Sequence, residues 1–177
     1  MMTKEEKVFS EEQYTSSANK PGTSPAAVQK KPLLKVPKGV IVVARKKNKF
    51  LLVQQHRSEF SSTSLEFPGG GILPGEDPLA AAQREVEEET GWKIFRIRSL
   101  GNIQVSIYLQ GGLEVLLAEV SHQIAAHPDQ DEHILQVKFL DTKEISQAIA
   151  EGKMNIAGSL AAWALASAQK LSDVMPT

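Results

Sequence analysis

Cysteine is absent from the 177 residues, which excludes disulfides and thiolate catalysis and fits a reducing cytoplasm. Net charge is almost absent too, at -1, so nothing draws the chain generally toward nucleic acid or an anionic membrane. No apolar run approaches the roughly 20 residues of a membrane-spanning helix. The opening MMTKEEKVFSEEQ has no apolar signal-peptide core, so a cytoplasmic location is expected. Phosphate-loop and dinucleotide fingerprints are missing: the glycines of GGGILPG are not followed by Lys-Ser or Lys-Thr, and their spacing misses the dinucleotide pattern. His56, His122, His127 and His133 show no zinc spacing.

What is present suggests one domain with a distinct arm. Residues 1–33 are polar and rich in Ser, Pro, Gly and Lys. Two readings stay open for them: a loosely packed arm, or an arm that meets a partner subunit through Val8, Phe9 and Tyr14 and so builds a homodimer. Residues 34–177 form the expected folded domain. Val40 to Ala44 and Phe50 to Gln55 read as strands around a KKNK turn, with Asn48 suited to a left-handed conformation. Leu65-Glu66-Phe67 is a short strand, and Phe95 to Leu109 one or two more. Gln110-Gly111-Gly112 turns the chain back through Leu113 to Val120. Ile134 to Leu140 alternates as a half-buried strand. Asp141 to Glu144 starts a helix over about 142–151, and Ile156 to Lys170 forms the last helix, with Leu160, Trp163 and Ala164 on one stripe. The sum is α/β, a mixed sheet between helices.

The most specific stretch runs from Gly70 to Trp92, GGILPGEDPLAAAQREVEEETGW. Asp77-Pro78 is a helix start and Gly91 a natural stop, so a helix over about 78–90 is predicted. Leu79, Ala82 and Val86 share a core-facing stripe. Glu85, Glu88 and Glu89 cluster on the neighbouring stripe, with small Ala81 one turn earlier leaving room for a ligand. Glu87 points the opposite way, as a solvated charge. Like charges at helical spacing repel, and a divalent cation turns that repulsion into a binding site.

The spacing G-x5-E-x7-R-E-U-x-E-E-x-G-U, with U a bulky apolar residue, is met at Gly70, Glu76, Arg84, Glu85, Val86, Glu88, Glu89, Gly91 and Trp92. The chain therefore resembles the Nudix hydrolases, which cleave nucleoside diphosphates linked to another group. FLLVQQHR with SLEFPGGGILPGE, and the stretch from Asp129 to Ala168, are similar to the ADP-ribose and ADP-sugar pyrophosphatase branch; the likeness covers about residues 38–168. It implies an α/β/α sandwich and Mg²⁺, or Mn²⁺ in its place. It also implies Glu88 and Glu132 in catalysis, with Arg84 and Glu76 as a brace that orients the carboxylates. The metal ligands it implies are the Gly69 carbonyl with Glu85, Glu88, Glu89 and Glu132. Substrate would meet Arg57, Glu66, Gly70 and Tyr108. A glutamate common in the branch is replaced by Gln130, and a usual proline is missing from VSIYLQGG, where Tyr108 stands. A tyrosine there is similar to the dinucleoside polyphosphate hydrolases, whose ring stacks on a base. It reads equally as a strand residue in the core. A nucleoside diphosphate sugar is the expected substrate, with dinucleoside polyphosphates or nucleoside triphosphates as the alternative. A nucleotide-sensing module without catalysis is the third reading, opposed by the intact set of box carboxylates.

Overall fold

A computed structural model describes residues 34–58, 61–127 and 133–169. The arm over residues 1–33, with Val8, Phe9 and Tyr14, lies outside the described residues, as do Asp129 to Glu132. In chain order the elements are β1 (Leu34–Lys35), β2 (Gly39–Lys46), β3 (Lys49–Arg57), β4 (Ser62–Glu66), α1 (Pro78–Thr90), β5 (Trp92–Ile103), β6 (Leu109–Gln110), β7 (Leu113–Gln123), β8 (Ile134–Leu140), α2 (Thr142–Ala150) and α3 (Ala157–Ala168).

The main sheet is mixed, with path β4-β3-β2-β7-β5 and β8 paired to β3. β2 and β7 run parallel, Ile41 opposite Val115 and Val43 opposite Leu117. Both strands are buried on two faces, and so both read as continuous apolar runs. Alternation divides them between two cores. Val40, Val42 and Ala44 face α1 with Ala82 and Val86, while Ile41 and Val43 face Ile145, Met154 and Ala162 from the C-terminal part of the chain. The expected α/β/α sandwich is the architecture found.

The helix boundaries follow from their caps. Asp77 accepts from the Leu79 amide at 2.8 Å, Pro78 occupies the first turn, and Gly91 closes α1 in the left-handed region at φ 72°. Asp141 and Glu144 form a reciprocal capping box on α2. Trp163 lies in the core, edge-on to Phe50 with ring centroids 5.1 Å apart and stacked on Phe67 at 6.0 Å.

Several local expectations are corrected. Lys47, not Asn48, takes the positive φ, at 56°, because the two-residue hairpin turn demands it at its first central position. The Gly111-Gly112 pair is no tight turn. The β5–β7 hairpin closes at Ile103 opposite Leu113, and within its loop β6 pairs in parallel with β1. Ala164 is exposed, and the buried residues of α3 are Gly158, Ser159, Ala162 and Ala166. Leu79 is 41% exposed, since it sits in the first turn at the rim of the buried face of α1. Ala81 is fully buried against the sheet and leaves no room for a ligand.

Candidate active site

β4 leads into an extended segment that runs antiparallel to β2. The carbonyls of Pro68 and Gly70 accept from Val42 N at 2.8 Å and Val40 N at 2.9 Å, and Gly39 bridges Gly71. Alternation turns Gly69 the other way, where its amide donates to Glu89 Oε1 at 3.3 Å. The segment lies this close to β2 and α1 because it lacks side chains. A Cβ on Gly69 would stand 2.2 Å from the Val40 carbonyl oxygen, and one on Gly70 would stand 2.4 Å from Glu85 Oε1. The glycines thus bring backbone directly onto two carboxylates of α1.

Those carboxylates differ in burial. Glu85 and Glu89 are 6% and 4% exposed, and the Glu88 side chain 35%. Arg84 organises the group by five donor contacts. Its Nε and Nη2 grip Glu76 Oε1 and Oε2 at 2.9 and 3.0 Å. Nη1 reaches Glu85 Oε1 at 2.8 Å and Glu88 Oε2 at 3.1 Å, and Nη2 also reaches the Gly71 carbonyl at 2.9 Å. Glu76 Oε2 also accepts from Leu73 N at 2.9 Å. Arg84 and then the Leu73 amide hold the Glu76 carboxyl below its ordinary range, and Glu76 first among its partners raises the Arg84 guanidinium. Glu87 faces away as expected but is ion-paired with Lys93 rather than simply solvated.

A cavity of about 400 Å³ opens beside the glycines, lined by Gly69, Gly70, Arg57, Glu66 and the first turn of α3. Glu66 is buried, and Arg57 donates to both its oxygens, from Nε at 2.9 Å and Nη2 at 2.6 Å. That bidentate pair fixes the arginine fork at the cavity wall. A second cavity, of about 540 Å³, lies toward the β5–β7 loop and Pro78. Tyr108 lines neither cavity. It is 54% exposed in the turn before β6, where its carbonyl accepts from Leu34 N at 3.0 Å, so the core-strand reading is wrong. The short pairing with β1 holds the turn outside the sheet.

The structure thus brings together Gly69, Gly70, Glu76, Arg84, Glu85, Glu88 and Glu89, and places Arg57 and Glu66 on the adjoining wall. Glu132 lies outside the described residues. Among the described residues, no three His, Cys, Asp or Glu side chains already converge on a point that would hold a metal ion. The physical reason is Arg84, which draws Glu85 and Glu88 to its own fork. The donor set still suits a hard divalent cation. Four carboxylates, Glu76, Glu85, Glu88 and Glu89, stand against one guanidinium, a formal excess of three negative charges.

Sequence reasoning missed Ser159, whose hydroxyl accepts from Phe67 N at 3.1 Å and ties α3 to the strand carrying Glu66. Sequence offers no signal for it, since α3 carries two serines and only the structure shows Ser159 buried and Ser167 exposed.

The NUDIX domain model matches residues 35–162. The chain belongs to the Nudix family. It is a Nudix hydrolase, and members of this family generally work with a divalent metal. It is 30% identical over 135 residues to a methanol dehydrogenase activator of Bacillus methanolicus, covering 71% of this chain and 69% of that one. It is 28% identical over 123 residues to an ADP-ribose pyrophosphatase of Bacillus subtilis, covering 66% of this chain and 62% of that one. A segment of 43 residues is 58% identical to an ADP-sugar pyrophosphatase of Mus musculus, covering 24% of this chain and only 20% of that one. Among solved structures, an ADP compounds hydrolase superposes with a TM-score of 0.69 at 20% identity, over 77% of this chain and 75% of the other, a likeness of fold alone. Among the described residues, no helix is long and apolar enough to cross a membrane.

Proposed function

We propose that this Nudix hydrolase cleaves the diphosphate bond of ADP-ribose or a related nucleoside diphosphate sugar, with Mg²⁺ as its cation. One observation carries the reading: the acidic stripe of α1 meets the Gly69–Gly71 segment beside a cavity walled by the Arg57–Glu66 fork. The ADP-ribose and ADP-sugar pyrophosphatases among its relatives support it.

Glu85, Glu88 and Glu89 would hold the cation, together with the Gly69 carbonyl, which shares the side of the chain on which the Gly69 amide meets Glu89. A bound Mg²⁺ neutralises phosphate oxygens and makes water easier to deprotonate. Arg84 and Glu76 lock the loop to the helix, so the carboxylates keep their places as charge shifts. Water's oxygen bonds to one phosphorus, the bridging oxygen leaves with the other phosphate, and a glutamate takes the proton. Glu132 is the proposed base, with Glu88 holding the cation at the reacting centre. Arg57 would meet the sugar or its phosphate, and Gly70, in the lining of the same cavity, would face the chain of phosphates. A homodimer built through the arm belongs to the same proposal.

Purified protein with Mg²⁺ should release AMP and ribose 5-phosphate from ADP-ribose. A panel containing dinucleoside polyphosphates and nucleoside triphosphates tests the substrate, and faster cleavage of one of those would refute ADP-ribose. Glu88→Gln should lower kcat by roughly 100-fold or more, the scale of losing a directly reacting electrostatic group. Unchanged turnover would remove Glu88 from the centre.

A further inference from the structure

We propose that Lys38 is a substrate-binding residue of this Nudix hydrolase, its ammonium meeting a phosphate oxygen where the two cavities adjoin. The inference rests on the diphosphate reading but not on ADP-ribose as the compound. Lys38 lines both cavities, the one of about 400 Å³ and the one of about 540 Å³. It is the only lysine or arginine common to the two linings, and among the described residues it takes part in no ion pair.

Its place is fixed by backbone. The Lys38 carbonyl accepts from Ile72 N at 3.0 Å, and Gly39 N donates to the Gly112 carbonyl at 3.1 Å. A Cβ on Gly39 would lie 2.8 Å from Gly70 O, and one on Gly70 would lie 2.4 Å from Glu85 Oε1. Lys38 therefore rises from a strap pressed against the glycine that itself touches the acidic stripe. A two-part substrate with one half in each cavity would carry its diphosphate across this strap.

Charge decides the assignment. Arg57 is the other cation of the smaller cavity, and Glu66 already compensates it through both oxygens. In the larger cavity the charged side chains are Lys38 and Glu114. A diphosphate brings negative charge that the carboxylate side can accept only through a cation. From the strap that lines both cavities Lys38 would supply a compact point charge on a flexible stem, the usual lysine role at phosphate.

The test compares Lys38→Ala, Lys38→Arg and Lys35→Ala; Lys35 is a nearby exposed lysine that lines neither cavity. For whichever diphosphate ester the wild type cleaves, Lys38→Ala should raise KM about tenfold with kcat within about threefold, as expected for one partly solvated charge-assisted contact. Lys38→Arg should restore most of the affinity, and Lys35→Ala should behave as wild type. Calorimetric titration with ADP in Ca²⁺ should show the same loss, with adenosine as the uncharged control. KM unchanged in Lys38→Ala, a fall in kcat alone, or an equal effect in Lys35→Ala would overturn the assignment, as would absence of ADP binding to the wild type. Failure on ADP-ribose with cleavage of another diphosphate ester would refute the proposed substrate and leave the Lys38 comparison intact.

Discussion

Arg84→Met isolates the role of the brace. Methionine keeps an unbranched stem and removes all five donor contacts, to Glu76, Glu85, Glu88 and the Gly71 carbonyl. Five charge-assisted bonds taken separately at about 1.5 kcal/mol would overshoot, because one fork serves them all and their deletions are not additive. The arginine side chain is also 25% exposed, so water replaces part of what is lost. Against that discount, Glu85 is left 6% exposed beside Glu89 at 4%, with no guanidinium to offset them. Breaking a buried charge pair costs about 3–5 kcal/mol, and the partial exposure here brings the expectation to about 3 kcal/mol. For a chain of this size that is a fall in Tm of about 6–12 °C.

Urea denaturation of wild type and variant at a series of pH values is the assay. Arg84 holds the Glu76 carboxyl below its ordinary value of 4.5. A depressed carboxylate contributes stability that is present above its unfolded pKa and lost as pH falls through its folded one. The gap between wild type and variant should therefore be full at pH 7 and narrow as the pH falls below the ordinary glutamate value of 4.5. A gap under about 1 kcal/mol at pH 7 would refute the brace, because a fork bound in five places cannot be that weak. A gap that widens toward acid would refute its electrostatic origin.

The two glycines should fail differently. Gly70→Ala meets the flexible tip of Glu85, so the protein should fold, with Tm within a few degrees of wild type, while Glu85 is displaced and activity falls by about 100-fold or more. Gly69→Ala meets the Val40 and Ile41 backbone, which cannot yield, so thermal melting should show a loss of several kcal/mol, in the range of overpacking. Mg²⁺ at about 100 times its Kd should stabilise the wild type by about 2.7 kcal/mol, while NaCl at equal ionic strength does not; an equal response to both would exclude a specific cation site.

The helix carrying the acidic stripe was legible because its signals are local. Asp77, Pro78 and Gly91 mark its ends, and spacing alone puts Glu87 on the far side from Glu85 and Glu89. The two-sided burial of β2 and β7 showed as unbroken apolar runs. What sequence reasoning could not supply was the rotation of α1 on the sheet. Periodicity picks out Ala82 and Val86, which are buried, but not how far the buried face extends, and Ala81 goes to the core as well with Glu85 and Glu89 following it. The β5–β7 loop was misread for a related reason. Gly111-Gly112 has the composition of a hairpin turn, yet the register was set by pairing at Ile103 and Leu113, and the loop found a separate partner in Leu34–Lys35. Lys38 carried no signal of its own, since an exposed lysine gains meaning only from cavities built by distant segments.

The burial of Glu85 and Glu89 explains why the signature joins a loop to a helix. A carboxylate on the inner face of a helix is costly unless polar groups cover it. Apolar residues above would leave these two stranded, and side chains of any kind would keep backbone too far away. Gly69 and Gly70 solve both problems: an amide reaches Glu89, and the Gly70 backbone packs directly over the Glu85 carboxylate. Arg84 then binds that same loop through Gly71 and Glu76 while holding Glu85 and Glu88 from the side. The glycines, the brace and the acids are therefore one unit whose parts lose their purpose separately. Changing the helix alone leaves a loop with nothing to cover, and changing the loop alone buries charge without compensation. The substrate contacts proposed above, on the Arg57–Glu66 wall and at the Lys38 side chain, lie outside the Arg84 fork that holds the carboxylates.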